Sequence, residues 1–173
     1  MPGTDREVTF RFLAQPTDVN FGGKVHGGMV MKWIDQAGYA CAVGWSGKYC
    51  VTVAVCGIRF VHPILIGDLV SVHCQLIYTG NTSMHLSVDV GARNLATGAE
   101  TLATHCVIVM VATDEAGKPT PVPVWEPQSD DDKALAAYAR KLMELDRNIA
   151  GEIARYRDAA HLPQPALAPN SAP

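Results

Sequence analysis

The sequence predicts an α+β fold in which a curved antiparallel sheet wraps around a central helix. Three observations predict it. One alternating segment precedes a loop and a helix that is apolar on two faces. Four long alternating segments rich in β-branched residues then follow at regular spacing. Short turns containing glycine join most of those segments, which is how antiparallel neighbours are connected.

In chain order, residues 7–13 (EVTFRFL) place Val8, Phe10 and Phe12 on one side of a strand. The stretch QPTDVNFGGKVHGG holds Pro16, Asp18, Asn20 and four glycines, which is loop chemistry. From about Met29 to Val43 alternation is lost and a helix is expected. At about 100° per residue, Val30, Trp33, Ile34, Ala37 and Cys41 share one side. Met31, Gly38 and Ala42 share another, with Asp35 among them, and Lys32 and Gln36 form a polar stripe beside Met29. Such a helix is enclosed by its own protein.

CVTVAVCGIRFV, LVSVHCQLIY, TSMHLSVDVGAR and ETLATHCVIVMVAT read as the four following strands, with a bulge expected at Gly57. The proline-rich PTPVPVWEP then leads to a charged segment, and Ser129 before Asp130, Asp131 and Asp132 is a helix start. Leu135, Leu142, Ile149 and Tyr156 repeat every seven residues, but Glu152 interrupts the companion row of Tyr138 and Leu145. The helix is therefore expected to pack on the domain or a neighbouring subunit, not to form a long coiled coil. The expected organisation is a domain over 1–126, a helical extension over 127–160 and a disordered tail over 161–173.

Composition narrows the functional classes. The 173 residues are 48% hydrophobic and 18% charged, and the formal net charge is −3. Dispersed Lys and Arg give no basic patch for nucleic acid or an anionic membrane. The longest apolar run, Cys106 to Ala112, is far short of the roughly 20 residues that span a bilayer. No secretory signal is visible, and five cysteines without a C-x-x-C pair read as core residues in a reducing compartment. The expected location is the cytoplasm.

Asp35 is the sharpest anomaly, because a carboxylate inside an otherwise apolar helix costs several kcal/mol unless it is paired or serves a site. A loop cap or a pairing with Arg59 is the structural reading, and a catalytic carboxylate is the functional one. Gly27 and Gly28 stand where the helix begins, and unpaired N–H groups there are suited to an oxyanion. A loop needing positive φ explains the same glycines. Asn20 reads as a turn residue or as an amide that orients water or a carbonyl. Histidine as a residue type titrates near neutrality, so His26 is a candidate base. Serine-hydrolase, P-loop, dinucleotide and zinc motifs are missing from the sequence.

Taken together, PTDVNFGGKVHGGMVMKWIDQAGYACA resembles the signature of the YciA and brain acyl-CoA hydrolase type of acyl-CoA thioesterase. TVAVCGIRFVHPILIGDLV resembles that family's interface strand and turns, and TGNTSMHLSVDV its G-x-T-S hairpin. The resemblance spans about residues 7–120. It implies a hotdog fold, an acyl-CoA substrate, dimers pairing sheets edge to edge, and a trimer of dimers (a hexamer). It further implies a site shared across the dimer, Asn20 of one subunit facing Asp35 of the other, with Gly27 and Gly28 donating to the thioester carbonyl. Thr82 and Ser83 are implied near coenzyme A, and His26 stands where many members carry phenylalanine. No metal or cofactor is expected beyond the coenzyme A of the substrate. Two alternatives remain in view: a hydratase or dehydratase using His26 with Asp35, and a non-catalytic acyl-CoA sensor.

Overall fold

The computed structural model describes residues 1–163. The element order is β1 (Glu7–Leu13), α1 (Gly27–Ser46), β2 (Tyr49–Phe60), β3 (Leu69–Thr79), β4 (Ser83–Arg93), β5 (Glu100–Thr113) and α2 (Asp130–Ala159), with one 3-10 turn at Pro16–Asp18. The strands form one antiparallel sheet in the order β1-β3-β4-β5-β2, so β1 and β2 are its edges.

Alternation in β3, β4 and β5 sends Val70, Val72, Leu86, Val88, Ile108 and Met110 into the core with Ile34, Ala37 and Cys41 of α1. The second apolar side of α1 is also buried, at Gly38 and Ala42. Gly38 is the tight point. A Cβ there would lie 2.9 Å from Ile108 Cγ2, so only glycine lets helix and sheet approach this closely.

The helix is longer than its sequence pattern predicts, extending from Gly27 to Ser46 where Met29 to Val43 was expected. His26 supplies the missing start by capping it, and Gly47 ends it in a left-handed conformation with its N–H bonded to Val43 O. The expected bulge in β2 is present. Gly57 has φ of 70° and the register against β5 shifts between Cys56 and Arg59.

Cys41, Cys50, Cys74 and Cys106 are buried and Cys56 half-buried, all as free thiols. The cysteines thus pack as core residues. The chain divides into two compact units at Trp125/Glu126. In the second, Ser129 caps α2 reciprocally with Asp132. Most of the tail expected to be disordered, residues 164–173, lies outside the described residues. No helix among the described residues is long and apolar enough to cross a membrane.

Candidate active site

The loop before α1 folds back on itself. Val19 bridges Val25, Asn20 N donates to Lys24 O at 2.7 Å, and His26 N donates to Asp18 O at 3.0 Å. Asn20 is at the tip. Its Oδ1 accepts from Gly22 N at 2.9 Å and more weakly from Lys24 N at 3.4 Å. The turn reading of Asn20 is therefore correct for its oxygen, while its NH2 group has no partner among the described residues. Phe21 beside it is fully exposed.

His26 has a structural task. Its Nδ1 accepts the Met29 N–H at 3.0 Å, and its carbonyl accepts from Met29 and Val30. The N–H groups of Gly27 and Gly28, at the first two helical positions, meet no acceptor among the described residues. A side chain at Gly27 would press on the Phe60 ring, 3.4 Å away, and one at Gly28 on the His26 ring, 3.3 Å away. Gly27, Val30, Phe60, Val61 and Pro63 line a pocket of about 310 Å³ at this helix end.

Asp35 is not the buried carboxylate that the helix pattern suggested. It is exposed, joining Lys32, Gln36 and Tyr39 on the one open side of α1. It makes no ion pair with Arg59 or any other described cation. Its Oδ1 instead accepts a hydrogen bond from Thr52 Oγ1 at 2.5 Å. The apolar pattern misled because β2 is an edge strand, so the helix side facing it stays open in a single chain. Thr52 was missed by sequence reasoning. Its signal was faint: a polar residue in a β-branched strand, meaningful only once β2 is known to lie alongside Asp35.

The chain does not gather all seven candidates. Asn20, His26, Gly27 and Gly28 share the loop and helix start. Asp35 lies eight residues beyond Gly27, about 12 Å along the helix. Thr82 lies in the β3–β4 turn and Ser83 begins β4, at the sheet end that holds Tyr49 and Thr113. Ser83 pairs with Val111, which pairs with Val51, so Ser83 is two strands from β2, about 10 Å. Thr82 O accepts from Ala112 N at 3.1 Å. Trp33 is a core residue packed edge-on to Phe12 at 4.8 Å. Tyr39 is exposed and meets the Tyr49 ring at 6.0 Å. Among the described residues no cluster of His, Cys, Asp or Glu has the arrangement of a metal site.

Comparison with known proteins agrees with this fold. The sequence pattern of the thioesterase superfamily matches residues 22–99. The chain is 34% identical over 121 residues to the acyl-CoA thioester hydrolase YciA of Salmonella typhimurium, covering 68% of this chain and 91% of that protein. An apo-hexameric acyl-CoA thioesterase superposes with a TM-score of 0.81 at 33% identity, over 87% of this chain and 96% of that one. The acyl-CoA hydrolase from Staphylococcus aureus, solved with butyryl coenzyme A and coenzyme A, superposes at 0.79 with 25% identity, over 95% and 99%. The open sheet around α1 is thus the hotdog of these enzymes, and the chain belongs to the thioesterase superfamily, among the YciA acyl-CoA thioester hydrolases.

Proposed function

We propose that this acyl-CoA thioesterase hydrolyses its substrate by water attack, in a site assembled from two copies of the chain. One observation carries the proposal. The two open N–H groups and the Thr52-held carboxylate stand on one helix about 12 Å apart. A base and an oxyanion site serving one carbonyl must each come within about 3 Å of the reacting atoms. A single chain cannot satisfy both, whereas Asp35 of a second copy can complete the loop and helix start of the first.

The exposed edge supports that pairing. β2 presents Tyr49, Val53 and Phe60 to solvent, and Phe21 projects from the Asn20 loop. An open edge strand with apolar side chains invites a partner. A trimer of such dimers is the assembly we propose, in keeping with the hexameric relative.

In the proposed reaction the thioester oxygen meets the N–H groups of Gly27 and Gly28 and its apolar part lies toward Phe60. Asp35 from the partner takes a proton from water, and the Asn20 NH2 group holds that water or the carbonyl. The hydroxide adds to the carbonyl carbon, the C–S bond breaks, and coenzyme A leaves as thiolate that regains a proton. The scheme uses no metal ion and no cofactor. Direct attack by Asp35 through an anhydride is the competing route. Oxygen-18 appearing in Asp35 after a single turnover in labelled water would establish it.

Thr82 and Ser83 are proposed to lie near coenzyme A, and the cytoplasm is the proposed location. A His26–Asp35 hydratase pair within one chain is disfavoured, because nine helical residues, about 13 Å, separate them and Nδ1 is already the helix cap. A thiol reagent provides the test. Saturated acyl-CoA should release free coenzyme A with the wild type and almost none with Asp35→Ala, the oligomer being unchanged. Binding without thiol release would instead favour a sensor.

A further inference from the structure

The sheet face opposite α1 carries a pocket that the proposed reaction does not use. Its volume is about 420 Å³, within the range of small-molecule sites. The register explains its shape. Arg11, Ser71, Gly91 and Leu102 stand side by side on β1, β3, β4 and β5, and the next outward row is Leu13, Leu69, Arg93 and Glu100. Gly91 and Ser71 form a low floor, and the long side chains around them form the wall.

Glycine within a strand forfeits packing and often marks a close approach by a ligand. Gly91 does not have positive φ, and a Cβ there would make only ordinary contact, 3.6 Å from Thr101 O. β4 shifts register against β5 between Val90 and Gly91, but neither a positive φ nor lack of room requires glycine there.

The polar groups around this floor are donors awaiting acceptors. The half-buried Ser71 hydroxyl and the Arg11 guanidinium have no partner among the described residues. Arg93 meets only Glu100, at 3.6 Å, with both side chains more than half exposed. An exposed pair at that distance is weak and can open. Arg11 and Arg93 lie two strands and one row apart, about 12 Å between Cα atoms, which two arginine side chains can close upon a single anion. A hydroxyl below and a guanidinium on each side approach from different directions. That suits a tetrahedral oxyanion better than a planar carboxylate, which takes two parallel donors. The apolar rim of Leu69 and Leu102 leaves room for more than the anion.

We propose that this pocket binds a phosphate monoester of nucleotide size, its phosphate held by Arg11, Arg93 and Ser71. The phosphate is that of a free nucleotide. Calorimetric titration of the full-length protein with inorganic phosphate, AMP, coenzyme A and dephospho-coenzyme A tests this. Two variants accompany the wild type: Arg11→Ala/Arg93→Ala, and Gly91→Val, which fills the floor without removing a charge. The expected result is wild-type binding of AMP, competed by inorganic phosphate and weakened about tenfold or more in both variants. Binding of coenzyme A but not of AMP, with the 3′-phosphate required and the same loss in both variants, overturns the proposal, because the pocket then belongs to the substrate.

Unchanged affinity in both variants, or no wild-type binding of any of the four probes, overturns the proposal. Acyl-CoA hydrolysis without nucleotide is measured in parallel and should stay near wild type. Gly91→Val keeps the test valid should the double variant fold poorly.

Discussion

Thr52 on β2 donates its hydroxyl to Asp35 Oδ1 on α1 at 2.5 Å, and this contact fixes the only carboxylate on the open side of that helix. A free carboxylate at an exposed helical position samples several rotamers. One donor from a neighbouring strand selects one of them and leaves Oδ2 free to receive a proton.

Thr52→Val removes the hydroxyl and keeps the shape. A hydrogen bond to a charged group is worth about 1.5–3 kcal/mol, so kcat should fall about 10- to 100-fold. KM should change less, and Thr52→Ser should restore most of kcat. Wild-type kcat in Thr52→Val would mean that the contact has no part in the reaction.

Gly38 tests the packing that holds α1 in place. Alanine gains helix propensity, up to about 1 kcal/mol, but its methyl group lands on the Ile108 side chain. Overpacking of this kind costs about 1–3 kcal/mol. With the full propensity gain set against that cost, Gly38→Ala should lower stability by up to about 2 kcal/mol in denaturant titration. Ile108→Ala should cost less in the Gly38→Ala background than alone, since it removes the obstructing atoms. Simple additivity of the two changes would contradict the contact.

Much of this was legible in the sequence because it follows from periodicity and local chemistry. Alternation located all five strands, Gly57 marked its bulge, and Ser129 marked the cap of α2. The start of α1 was harder, because histidine is an uncommon cap and two glycines disguise a first turn. Asp35 was singled out as an anomaly for a reason that did not hold, since it is exposed. The wheel shows which residues share a side, yet not that an edge strand leaves that side uncovered. Thr52 illustrates the limit: its importance comes from a contact 17 residues away, through a strand order that local patterns do not encode.

His85 makes stability depend on pH. It is buried on β4, edge-on to Tyr78 at 5.3 Å, and its Nε2 has no hydrogen-bond partner among the described residues. Burial pushes its pKa down from 6.5 to about 4. Protonation therefore favours the unfolded chain. Above pH 6.5 the ring is neutral in both states and no stability is lost. Between pH 6.5 and about 4 the unfolded chain binds a proton that the fold refuses, so stability falls as pH falls. At about 1.4 kcal/mol per unit the full loss is about 3 kcal/mol. His85→Phe should flatten this limb, read as a smaller drop in unfolding free energy between about pH 7 and about pH 5. Equal drops in variant and wild type would exclude His85 as the cause.

The division of labour between subunits gives the strongest test of the site. Asp35→Ala and Asn20→Ala should each be nearly inactive as pure proteins, one lacking the base and the other the amide. Unfolded together and refolded as a mixture, they form mixed dimers in which Asn20 of one chain faces Asp35 of the other. Each mixed dimer then holds one site with both residues and one with neither. Random pairing makes half of the dimers mixed, so the mixture should recover about one quarter of wild-type activity. A site built within one chain has no such route, because every chain in the mixture lacks one of the two groups. Recovery near a quarter and recovery near zero are far enough apart for a single thiol-release assay to decide between them.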